Sequence, residues 1–117
     1  MRSRCALLAA FLIVAAVSLT GSASIQLRVT PREAQAPADV FVCVVLERDP
    51  ANRLLQVEVE GDDFFTASSA VLDGEGARRV NDFMFRRLPP GEYDVRASVF
   101  DGAGRQLGSA TRNVTIR

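Results

Sequence analysis

From residue 25 onward, apolar and polar side chains alternate with a period of two, the pattern of short strands that bury one face. Ile25, Leu27 and Val29 alternate with Gln26, Arg28 and Thr30, and Pro31 ends that segment. The stretch from Arg32 to Ala38 is rich in Ala and Pro and reads as a connector. Residues 40–46, Val-Phe-Val-Cys-Val-Val-Leu, are apolar on both faces, which predicts a strand covered by the core on one side and by a loop or neighbour on the other. After the turn Asp49-Pro50-Ala51-Asn52, Leu55, Val57 and Val59 alternate with Gln56, Glu58 and Glu60 up to Gly61. A shorter segment runs from Phe64 and Phe65 toward Leu72, and Asp73-Gly74-Glu75-Gly76 turns the chain. Residues 80–85 carry Phe83 and Phe85 on one face, and Leu88-Pro89-Pro90-Gly91 forces a corner that no strand crosses. Tyr93, Val95, Ala97 and Val99 form the most regular alternation; Asp101-Gly102-Ala103-Gly104 is a hairpin loop, and Val114 and Ile116 point inward on a last strand.

No segment after residue 24 shows a helical apolar period, and strands separated by turns at roughly 8–12-residue spacing fit a two-sheet antiparallel β-sandwich. The expected fold is therefore all-β, with about seven strands. An open sheet with one wet face is disfavoured, because both apolar faces of residues 40–46 need cover.

The first residues follow a different rule. Arg2 and Arg4 precede an uncharged apolar run from Cys5 to Leu19, which ends in the small residues Gly21-Ser22-Ala23-Ser24. This is the layout of a secretory signal helix, shorter than the roughly 20 residues a membrane span needs. Residues 1–24 are read as a signal peptide, with an uncleaved anchor as the alternative, and residues 25–117 as one domain. Either way the domain is delivered outside the cytoplasm, secreted or periplasmic, with no further membrane attachment. Cys5 lies too early in the run to be a lipid-anchor cysteine and leaves with the leader, so Cys43 has no mate for an internal disulfide. Flanked by Val42, Val44 and Val45, Cys43 reads as a small buried hydrophobe.

Charge and composition exclude more than they suggest. Acidic and basic residues number 14 each, the signs are interspersed, and two of the arginines belong to the leader. Without a basic stripe to neutralise phosphates, nucleic acid is not an expected partner. There is no His and no Lys, which removes imidazole triads, dyads and metal sites together with lysine nucleophiles. Carboxylate pairs remain, but the acids fall on outward strand positions or in turns, so the domain is not expected to be an enzyme or to hold a cofactor. Asp62-Asp63, Asp73 with Glu75, and Asp101 offer oxygen ligands of the kind calcium takes, yet match no defined calcium loop and read as turn acids. The absence of Trp and the single Tyr argue against a carbohydrate platform. Phe64, Phe65 and Phe100, with Arg86 and Arg87 at a rim, are the residues proposed for contact with a protein.

The run Leu88-Pro89-Pro90-Gly91-Glu92-Tyr93-Asp94-Val95-Arg96-Ala97 resembles the corner between the fifth and sixth strands of fibronectin type III and immunoglobulin-like domains, and the strand order extends the likeness over residues 25–117. The resemblance implies that Tyr93 is a structural tyrosine corner, its hydroxyl bonded to upstream backbone and its ring in the core. Val95 stands where antibody-type domains have the second Cys, and no Trp fills the middle, so the resemblance is to a divergent bacterial immunoglobulin-like domain. Such folds host unrelated activities. The expectation is an exported, non-catalytic binding or scaffolding module that acts on a protein partner through loops or an edge strand; the alternative is an accessory or inhibitor domain of a secreted enzyme.

Overall fold

The computed structural model describes residues 24–117; the expected signal segment up to residue 23, with Cys5, lies outside the described residues. Eight strands follow in order: β1 (Ile25–Thr30), β2 (Glu33–Ala34), β3 (Ala38–Leu46), β4 (Leu54–Glu60), β5 (Phe65–Val71), β6 (Val80–Leu88), β7 (Gly91–Phe100) and β8 (Gln106–Ile116). A single 3-10 turn at Gly74–Gly76 lies between β5 and β6. They form a three-stranded sheet, β1-β3-β6, and a five-stranded sheet, β2-β8-β7-β4-β5. All neighbours are antiparallel except β2, which runs parallel to the end of β8.

Alternation explains which side chains meet between the sheets. Leu27 and Val29 of β1, Val40, Val42 and Val44 of β3, Phe85 and Leu88 of β6, Leu55, Val57 and Val59 of β4, Tyr93, Val95, Ala97 and Val99 of β7, and Val114 and Ile116 of β8 join one buried cluster. β-Branched residues dominate it because a branched Cβ suits the pleat and loses little rotamer freedom there. The loop before β4 is tied in by Asn52, a buried amide whose nitrogen donates to the Glu47 carbonyl at 3.1 Å.

The seven expected strands are present, with differences at their ends. The connector holds a short eighth strand, because Glu33 and Ala34 pair with Thr115 and Ile116. β6 runs to Leu88 rather than stopping at Phe85, through an irregularity in its pairing with β3 between Ala38 and Val40. There Arg87 takes a positive φ of 57°, and its N–H donates to the Asp39 carboxylate at 2.8 Å.

Two expectations are corrected. Cys43 is half-buried rather than in the core, and Phe41 beside it is 52% exposed. The reason is the strand period: with Val40, Val42 and Val44 inward, residues 41, 43 and 45 must point out. The second correction follows, since no layer of described residues covers that outer face, although the sequence pattern implied cover on both sides.

Candidate functional site

The outer face of the three-stranded sheet is built of three cross-strand rows. Thr30, Phe41 and Met84 form one, Arg28, Cys43 and Asp82 the next, and Gln26, Val45 and Val80 the third. Phe41, Val80 and Met84 are three of the five large apolar side chains that stand exposed among the described residues, at 52%, 50% and 39%. They sit on paired strands, Phe41 opposite Met84 and Val45 opposite Val80, rather than on a loop. Within it the Cys43 thiol is held above its ordinary pKa, first by desolvation and then by the hydrogen bond and charge of Asp82, with Arg28 pulling the other way. A thiol so held stays protonated near neutrality and is a poor nucleophile.

The opposite outer face is polar along its middle and apolar toward its ends, where Phe65 stands 58% exposed beside Glu60 and Val71 88% exposed beside Leu54. Gln56, Glu58 and Glu60 of β4 lie beside Ser98, Arg96 and Asp94 of β7, and Thr111 and Asn113 of β8 continue the rows. Arg96 and Glu58 approach to 3.5 Å, an exposed pair that contributes little.

The residues singled out from the sequence are divided by the structure. Tyr93 is buried, and its hydroxyl donates to the Pro89 carbonyl at 2.6 Å. The Phe64 ring meets it edge to face with centroids 6.0 Å apart, so Phe64 spends much of its surface on the corner. Phe64 and Arg86 line a groove of about 360 Å³ between β5 and β6, together with Thr66, Ser68, Met84 and Phe85. Phe65 and Arg87 are exposed near that end, while Phe100 is half-buried at the far end of the sheet. Phe65 pairs with Glu60 and Phe100 with Leu54, six residues apart on β4, or about 20 Å at the rise of a strand. Phe100 is therefore no part of a surface with the other four.

The acids also have assigned places. Asp101 accepts hydrogen bonds from the N–H groups of Ala103 and Arg105, each at 2.9 Å, and pairs with the Arg105 side chain at 3.3 Å. The Arg105 backbone bond is the main reason its carboxyl is held below the usual range. Asp62, Asp63 and Glu92 border an open cleft of about 360 Å³ at the tyrosine corner. Among the described residues no three His, Cys, Asp or Glu side chains are grouped so as to hold a metal ion, and no helix is long and apolar enough to cross a membrane.

Phe41, Val80 and Met84 were absent from the sequence-based interaction set. The signal that could have found them was the doubly apolar run 40–46 read as an uncovered face instead of a covered one.

No family model and no curated protein matches the chain. Solved structures do. Part of a family 76 glycoside hydrolase from a bovine Bacteroides thetaiotaomicron strain superposes at TM-score 0.57 and 11% identity, over 80% of this chain and 20% of that one. The chain thus spans about a fifth of that hydrolase's length. The PKD domain of an M14-like peptidase from a Thermoplasmatales archaeon superposes at TM-score 0.51 and 20% identity, over 81% of this chain and 92% of the domain. A PKD domain is an immunoglobulin-like β-sandwich, and the all-β, two-sheet architecture described above is of that kind.

Proposed function

We propose that this chain is an exported, non-catalytic binding module that contacts a protein partner through the outer face of its three-stranded sheet. The observation that carries the reading is the group of Phe41, Val80 and Met84, exposed together with half-buried Val45 and Cys43 on one sheet face, while the middle rows of the opposite face are polar. Solvent-facing apolar side chains that cluster, rather than scatter singly, mark interaction surfaces. The sequence reading put the contact on loops or an edge strand; this proposal puts it on the sheet face that bears Phe41, Val80 and Met84. Export is supported by the charged start and uncharged apolar run of residues 1–24. A fibronectin type III-like placement is supported by the Tyr93 corner and by β5, which pairs with β4 rather than beside β6 as in constant-type immunoglobulin sheets.

A photo-reactive residue introduced at Phe41 or Met84, and as a control at Thr111 on the polar face, tests the reading in the exported fraction of producing cells. Adducts to a polypeptide from the first two positions alone are expected. Equal adducts from all three, or none from any, would remove the proposal.

A second reading, an accessory or inhibitor domain of a secreted enzyme, is favoured by one observation: the sandwiches it resembles belong to a glycoside hydrolase and to a peptidase. The same adducts separate the two. An enzyme whose activity drops when this chain binds supports the inhibitor, and a partner without such a change supports the scaffolding module.

A further inference from the structure

The sandwich has open strand edges, and most carry devices that discourage pairing. β6 carries Asp82, Arg86 and Arg87 and is irregular near its end; β1 carries Arg28 and stops at Pro31; β2 is two residues long, set between Pro31 and Pro37. Charges, prolines, irregularities and short length are the usual guards of a sheet edge. β5, Phe-Thr-Ala-Ser-Ser-Ala-Val, has none of them.

Its free hydrogen-bonding groups can be assigned. The Gly61 N–H donates to the Phe64 carbonyl at 2.8 Å and the Leu72 N–H to the Arg53 carbonyl at 2.9 Å, which sets the alternation of the β4–β5 ladder. Even-numbered residues of β5 bond to β4, so Phe65, Ala67, Ser69 and Val71 turn their N–H and C=O groups away from the sheet. The side chains of these same four residues lie on the outer face, in line with Glu60, Glu58, Gln56 and Leu54. Phe65 is 58% exposed and Val71 is 88% exposed, at opposite ends of the strand.

We propose that two copies of this chain pair along β5 in antiparallel register, Phe65 opposite Val71 of the partner subunit and Ser68 opposite itself, joining the two five-stranded sheets into one. The strand is nearly self-complementary about Ser68. In that register every outward backbone group of the four residues finds a mate, Ala67 meets a serine, and each exposed Phe65 is laid beside an exposed valine. The two-fold axis puts both three-stranded sheets on the same side of the joined sheet. The small side chains of Thr66, Ser68 and Ala70 in each copy then border the other's groove between β5 and β6. Because the contact is isologous and uses up the edge, it closes at two subunits. A strip one strand long, roughly 24 Å, and one sheet thick, roughly 10 Å, buries on the order of 500 Å² in total. That is under the ~1,000 Å² of a lasting interface, so the dimer forms at high concentration and dissociates on dilution. Beyond the strand ends Asp63 and Asp73 of the two copies come to face each other, which limits the pairing to these seven residues and makes it stronger in salt.

Sedimentation of the purified protein from micromolar to millimolar concentration is expected to show a mass that rises to twice the monomer, no further, and rises more readily at high ionic strength. Ala67→Pro removes an outward N–H without touching the β4 ladder and is expected to hold the mass at one subunit with an unchanged circular dichroism spectrum. In a Cys43→Ser background, Ser68→Cys is expected to form a disulfide-linked dimer under mild oxidation, since only that position faces itself, whereas Ser109→Cys does not. A monomer at every concentration overturns the proposal. So does a doubled mass that survives Ala67→Pro, or one in which Ser68→Cys fails to cross-link. These variants leave the face bearing Phe41 and Met84 intact, so failure here is distinguishable from failure of the proposed partner surface.

Discussion

At the scale of single residues, Cys43 shows how one side chain can be right in identity and wrong in place. Its neighbours Val42 and Val44 are core residues, but the pleat turns the thiol to the outer face, beside Asp82 and Arg28. Cys43 is expected to alkylate in the folded protein without denaturant, slowly at neutral pH and faster as pH rises past an ordinary thiol's range. Asp82→Ala removes both the hydrogen bond and the negative charge that hold the proton, so it should lower that midpoint and speed labelling; Arg28→Gln should do the reverse. Rates of iodoacetamide labelling against pH check both. Gly61 offers a second test, because a Cβ there would lie 2.7 Å from the Tyr93 ring. That ring cannot swing away while its hydroxyl is anchored on Pro89, so Gly61→Ala should cost about 1–3 kcal/mol in a urea melt. Tyr93→Phe should cost about 1 kcal/mol or more by orphaning the Pro89 carbonyl.

At the scale of elements, the turns hold the register. The β7–β8 hairpin is organised by Asp101, whose carboxylate gathers two N–H groups and the Arg105 side chain. Since folding lowers the affinity of this carboxyl for its proton, its contribution to stability is complete above the ordinary carboxylate range and is lost as pH falls through the lower folded value. Asp101→Asn keeps the shape of the side chain and cannot ionise. The stability gap between the natural protein and this variant, measured by denaturant melts, should be present at neutral pH and shrink in acid; a gap that widens in acid would contradict the assignment. At the end of β6, the Asp39 carboxylate holds Arg87 in its left-handed conformation, a position where the sequence pattern had ended the strand early.

At the scale of the whole molecule, the two faces of β3 have opposite roles. Val42 belongs to the core, so Val42→Ala should cost about 2 kcal/mol, from two buried methyl groups and the space they leave. Met84, on the far side of the same sheet, should accept Gln with a change within about 0.5 kcal/mol. Thermal melts of the two variants separate structural from surface apolar residues. A large loss for Met84→Gln would mean that this face is covered in the isolated protein, and would count against its being a partner surface.

Alternation by itself determined that the chain after residue 24 folds as a β-sandwich and where seven of its strands run, apart from their ends. Each of these depends on neighbours along the chain, whose side chains point to opposite faces by geometry alone. The connector's short strand, the outward turn of Cys43, the separation of Phe100 from Phe64 and Phe65, and the grouping of Phe41, Val80 and Met84 were decided only by tertiary structure. They depend on which strands become neighbours and which sheet is left with three strands and an open face. That choice belongs to long-range pairing, and a run apolar on both sides reads identically whether its second face is covered or bare.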